Sequence, residues 1–351
     1  MKYSQIKHNF RISIKSFIAY CILVTFPVQA NLDNLTTHVD AIYANLSTQV
    51  ETLHQSSQQL CKTTAASQQP EKLSATQLAW ENAMNAWVKA DLINFGLVVD
   101  ENIAWRFQFW PDKKNLVKRK VEQFLQQHSD AITNKQVAEA SVIIQGLSAA
   151  EYLLFEPITP SIANNKQRCQ LLEEVSSVLV QNSHYLQKHW NKQPLAIKNQ
   201  HDYLTLVSNA LASYLEKTYK KWSLAVLKQN PYFAESWRSQ HSNENIQQSL
   251  VAANSWYQQL ILPYLQDTKE KKDLAKILNT AFKKNITQFK QLPNSLFSIL
   301  QAIKNQEKHS AKNLLQLQET TQQFRQLKKQ ITLDLPKTLD VLIGFNANDG
   351  D

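Results

Sequence analysis

The sequence predicts an all-α protein built from two packed helical bundles. Three observations carry this. The 351-residue chain holds only four glycines, Gly96, Gly146, Gly344 and Gly350, too few for the turns that a sheet protein of this length needs. Apolar residues recur at spacings of three and four in segment after segment, the period of one helix face. Breaks at Pro157, Pro160 and Gln193-Pro194 divide the chain into two halves of ordinary domain size. The boundaries drawn are 1–30 for a signal peptide, 31–192 for an N-terminal bundle and 193–351 for a C-terminal bundle.

The elements follow in order. Lys2, Lys7, Arg11 and Lys15 form a basic leader, Phe17–Phe26 an apolar core of ten residues, and Val28-Gln29-Ala30 a cleavage site. Ten apolar residues are too few to span a bilayer, which needs ~20. Cys21 follows Tyr20, where a lipoprotein signal would carry a small residue, so lipidation is disfavoured. The first mature helix carries Leu35, Val39, Ile42, Leu46, Val50, Leu53 and Leu60 on one face. A second begins near Ser74, carries Trp80, Met84 and Trp87, and ends at Phe95-Gly96, since glycine is a normal helix stop. An aromatic connection, Trp105–Pro111, comes next. Further helices are expected at about 113–127, 134–155, 164–190, 198–228, 243–264, 270–288 and 295–332, with a tail that is irregular or holds one short helix.

The leader directs the chain to the periplasm, soluble there or resting on an envelope membrane. Its removal lowers the net charge from +9 to about +5. Lysine doublets, Lys220-Lys221 among them, are scattered along the chain and read as solvated helix faces, not as a nucleic-acid stripe. Two cysteines remain, Cys61 and Cys169. An even pair in an oxidising compartment predicts one disulfide, with two buried free thiols as the other reading.

Several chemistries lack their motifs. There is no His-Glu-x-x-His, no phosphate loop, no haem-attachment or zinc-type cysteine cluster, and no Gly-x-Ser-x-Gly elbow, because Gly146-Leu147-Ser148-Ala149-Ala150 lacks the second glycine. The positive signal lies in Val142–Phe155, an apolar stretch read as helix. Gly146 costs ~1 kcal/mol there relative to Ala, and Glu151 is the stretch's only charge. Ser148 and Glu151 are three apart and share a helix face. A buried carboxylate must find a cation, donors or a metal, or stay protonated. Arg106, Arg238 or a hydroxyl is the expected partner. A structural ion pair pinning one bundle to the other is the alternative account of the same residues.

These residues carry a resemblance. Trp80, Trp87 and Phe95-Gly96, the Trp105–Pro111 connection, Gln145–Leu154, Glu235-Ser236-Trp237-Arg238-Ser239-Gln240-His241-Ser242 and the Asp349-Gly350-Asp351 ending together resemble the imelysin family of bacterial envelope proteins, also called insulin-cleaving membrane proteases. The family's signature is Gly-x-His-x-x-Glu. Gly146 and Glu151 match it, whereas Ser148 stands at the histidine. The resemblance implies an imelysin-like fold and a ligand-binding site on Gly146, Ser148, Glu151, Arg106, Trp110, Glu235, Arg238 and Ser242. It implies a role linked to iron or another divalent metal, with envelope iron-uptake or redox proteins as partners. A hydroxyl is a poor transition-metal ligand, so Glu151 is the one metal ligand this chain retains. No residue is assigned a catalytic role: hydrolysis needs a nucleophile with a base or a metal-bound water, and neither stands out.

Overall fold

In the computed structural model, residues 14–344 are described, apart from 129, 158–161, 193–194 and 293–294, with side chains from residue 29 onward. Lys2, Lys7 and Arg11 of the basic leader, Pro160, Pro194 and the Asp349-Gly350-Asp351 ending lie outside the described residues. Those described form helices and connections, with no strand among them. The helices are α1 (Ile14–Lys62), α2 (Gln69–Ala90), α3 (Leu97–Asp100), α4 (Ala104–Phe107), α5 (Leu116–Gln127), α6 (Asn134–Glu139), α7 (Gly146–Phe155) and α8 (Lys166–His189). They continue with α9 (Gln200–Leu227), α10 (Ser242–Trp256), α11 (Lys269–Lys290), α12 (Leu296–Lys304), α13 (Ser310–Lys329) and α14 (Leu335–Leu339). Among the described residues, none of these helices is long and apolar enough to cross a membrane.

Two four-helix groups result. The first packs α1 against α2 and α8, with α7 against both of these; the second packs α9, α10, α11 and α13. The groups meet where α10 lies on α2 and α9 on α1. The periodic face read from the sequence is the buried face of α1, with Leu35, Val39, Leu46, Val50, Leu53 and Leu60 all in the core. Helix starts follow local chemistry. Asn165, Asn199, Thr268 and Ser295 each cap a helix by accepting a backbone N–H three residues on, and Thr133 with Gln136 forms a capping box at α6. The predicted Cys61–Cys169 disulfide is present and joins the end of α1 to the start of α8, Cα to Cα 5.5 Å.

The structure corrects several boundaries. Helix α2 starts at Gln69, because Pro70 in the first turn needs no hydrogen-bond acceptor there. It ends at Ala90, and Gly96, with φ of +62°, precedes α3 instead of stopping α2. The expected helix over 295–332 is split between α12 and α13. Residues 304–310 are polar throughout, so a continuous helix would bury nothing, and Gln306 and His309 take positive φ to turn the chain. The expected 243–264 helix runs on from α10 through a π turn at Tyr257–Ile261 into a 3-10 turn at Leu262–Leu265. Of the Lys220-Lys221 doublet, Lys220 is exposed as expected, but the Lys221 side chain is 4% exposed.

Candidate functional site

The helix expected over 134–155 is broken, and the break builds the site. After α6 the chain makes a 3-10 turn at Val142–Ile144 and reaches Gly146 with φ of +79°. A Cβ there would lie 2.5 Å from the Arg106 carbonyl oxygen and 2.6 Å from that of Phe107. Only glycine lets the start of α7 touch the end of α4 in this way. Two residues on, the Ser148 hydroxyl donates to the Phe109 carbonyl and accepts the Phe109 N–H, both at 3.1 Å. The Trp80 indole N–H donates to the Leu147 carbonyl at 2.9 Å. The aromatic connection is thereby stapled to α7.

Glu151, one turn further, is 4% exposed. Its Oε1 accepts both the backbone N–H and the hydroxyl of Ser239, each at 2.9 Å. Neither predicted arginine is its hydrogen-bond partner. Arg106 points outward and is exposed; its contribution is the carbonyl against Gly146. Arg238 is held by Asp112 at 3.3 Å, Glu156 at 3.2 Å and Asn115, with its guanidinium over the Trp237 and Tyr152 rings at 4.3 and 5.5 Å. Burial pushes the Glu151 carboxyl above the ordinary carboxylate range, against the pull of the Ser239 N–H and the Arg238 charge.

Ser148, Glu151, Trp110 and Arg238 line one small cavity of ≈ 20 Å³, room for about one water or a group of that size. Gly146, Arg106, Glu235 and Ser242 do not line it. Glu235 lies beneath, 2% exposed. It accepts from Lys221 and, at 2.5 Å, from the Gln108 amide. Lys221 also donates to Gln108 Oε1 at 2.9 Å and stands 3.8 Å from Asp91, which Lys217 contacts at 2.7 Å. Burial alone would raise the Asp91 carboxyl, yet Lys217 and Lys221 hold it below the usual range. Burial alone would lower the Lys221 ammonium, yet Glu235 and Asp91 hold it above. The Ser242 hydroxyl donates to the Glu235 carbonyl and fixes the loop that carries Glu235.

Sequence reasoning missed Asp91, Gln108, Lys221 and Ser239. Lys221 was legible: it continues the α9 core phase of Leu211, Tyr214 and Thr218, all buried. Ser239 lay inside a motif already singled out. Nothing local marks Gln108, whose partners come from three distant segments.

The donor set does not fit a transition metal. The Ser148 hydroxyl is spent on Phe109, Glu151 Oε1 on Ser239, and the Asp112 carboxylate on Arg238 and the Val117 N–H. Among the described residues no group of three or more His, Cys, Asp or Glu side chains could hold a metal ion.

The fold agrees with the comparisons. The sequence profile of the imelysin family matches residues 39–327, and the chain belongs to that family. An imelysin-like protein from Psychrobacter arcticus superposes with a TM-score of 0.74 at 19% identity, over 91% of this chain and 96% of its own. An iron-regulated protein A precursor from Parabacteroides distasonis superposes with a TM-score of 0.53 at 14% identity, over 86% of this chain and 95% of its own. At such identities these structures share the fold with this chain. No curated protein matches it.

Proposed function

We propose that this imelysin-family chain is a periplasmic binding or accessory protein of the cell envelope, linked to the acquisition of iron or another metal, and not a peptidase. The observation that carries the non-catalytic reading is the Ser148 hydroxyl, whose proton goes to the Phe109 carbonyl. A nucleophilic serine needs that proton on a base. His241, in the loop beyond the cavity, instead contacts Asn85 at 3.2 Å. The link to metal acquisition rests on the fold shared with the protein named iron-regulated protein A precursor. Its partners are envelope iron-uptake or redox proteins, met at the membrane surface without insertion. The leader sequence supports the periplasmic address.

Incubating the purified protein with casein or insulin, with and without a chelator, tests the first part: no cleavage is expected. Cleavage abolished by the chelator would replace this reading with a metallopeptidase. Calorimetry with anaerobic ferrous iron, and with zinc as a redox-inert control, tests the donor set. No tight stoichiometric binding is expected in the wild type. Ser148→His sets an imidazole one turn from Glu151 and is expected to strengthen binding of both ions. Levels of the protein in iron-limited and iron-replete cells test the biological link, with a rise under limitation expected.

A further inference from the structure

Glu151 leaves one oxygen without a protein donor. Both bonds from Ser239 land on Oε1, and no donor among the described residues reaches Oε2. The carboxylate is 4% exposed and lines the cavity. The nearby cation does not supply a donor, since Arg238 donates to Asp112, Glu156 and Asn115. The rest of the wall mixes aromatic residues with polar and charged ones, Gln108, Asp112, Ser236 and Arg238 among them. Trp80, Phe109, Trp110, Tyr232 and Trp237 all line it. Tyr232, 49% exposed, stands edge-on to Trp237 at 5.0 Å and to Phe297 at 5.5 Å, so an aromatic rim lies over a carboxylate floor.

This arrangement selects a ligand class. A divalent ion such as calcium needs six or more oxygens, and the cavity offers one free carboxylate oxygen. A quaternary ammonium carries no N–H and cannot donate a hydrogen bond to that oxygen. A primary ammonium head is the size of a water molecule. It donates to a carboxylate, and aromatic faces attract its charge and pack against its alkyl stem. We propose that the cavity binds a primary alkylammonium group, its head on Glu151 Oε2 and its stem against Trp110, Tyr232 and Trp237. The proposal rests on the reading of this cavity as a binding site and names its ligand class. A free amine and the lysine side chain of a partner protein share this chemistry.

The test is tryptophan fluorescence and calorimetric titration with n-butylammonium, with Nα-acetyl-lysine methylamide, and with n-butanol and the Nε-acetylated lysine compound as neutral controls. Saturable binding of both amines and none of the neutral compounds is expected. Glu151→Gln keeps an oxygen for Ser239 and removes the charge, so amine binding should weaken at least about tenfold, with its circular dichroism unchanged. Tyr232→Ala, at the exposed rim, should weaken it without loss of fold. Tighter binding of the lysine compound than of butylammonium assigns the ligand to a partner's lysine; the reverse order assigns it to a free amine. Equal binding of butanol, or amine binding unchanged in Glu151→Gln, overturns the proposal. If no amine binds while ferrous iron or zinc does, the ammonium assignment falls and the binding-site reading stands; if nothing binds, both fall.

Discussion

Ser148 shows how far the surroundings of one side chain can be read from sequence. Its distance from Glu151 along the helix was legible in the three-residue spacing. Its partner was not, because Phe109 lies 39 residues earlier and offers backbone atoms, which leave no mark in a sequence. Ser148→Ala strands the Phe109 N–H and carbonyl, and is expected to cost about 1–3 kcal/mol in urea unfolding, more than an ordinary surface change. A second residue-scale prediction concerns His241. Burial against the Trp80 ring lowers its pKa, opposed in part by Glu244 and Glu235, while Asn85 contacts the ring. Below about pH 6.5 the unfolded chain takes up a proton that the folded chain refuses, so stability falls as the pH drops from 7 toward the folded pKa. Carboxyls that desolvation holds high, such as half-buried Glu81 and buried Glu151, act in the opposite sense at lower pH. The readout is therefore a difference: the melting temperature of His241→Gln minus that of the wild type should rise steadily from pH 7.5 to 5.5. A difference independent of pH would exclude the buried neutral imidazole.

Helix α7 is the element on which the site depends, and its start was the boundary most plainly misread. Apolar periodicity runs unbroken from Val142 to Phe155, and periodicity reports which face is buried, not where the backbone turns. The glycine was the available signal. In a chain with so few, Gly146 inside an apolar stretch marked a position needing either positive φ or a close backbone approach, and the structure uses both. The same limit explains the split between α12 and α13, where polar residues alone fill the break. Replacing Gly146 by Ala forces an L residue into the left-handed region and drives its Cβ into the Arg106 and Phe107 carbonyls. The expected loss is at least about 2 kcal/mol, measured by urea denaturation, with a changed tryptophan spectrum as the connection lifts from α7. A loss under about 0.5 kcal/mol, the scale of a neutral surface change, would show that the contact yields freely.

Across the whole molecule, the fold class was legible because it depends on averages, namely scarce glycine and repeated spacing, which no single contact can upset. The contacts that join the two helix groups depend on particulars. Asp91 on the first group faces Lys217 and Lys221 on the second, the Tyr214 hydroxyl donates to the Val88 carbonyl at 2.5 Å, and Ser239 reaches Glu151. Separating the groups would leave buried charges without partners, at a cost of several kcal/mol. The disulfide, by contrast, lies within the first group and closes a loop with a sequence separation of 108. On the chain-entropy account such a loop contributes ~4–5 kcal/mol at most, by restricting the unfolded chain. The double variant Cys61→Ser, Cys169→Ser should therefore melt at a lower temperature yet still unfold in one step, with far-UV and near-UV circular dichroism transitions coinciding. Two separated transitions in that variant would mean that the bridge, and not the buried charges between the groups, makes the molecule one cooperative unit.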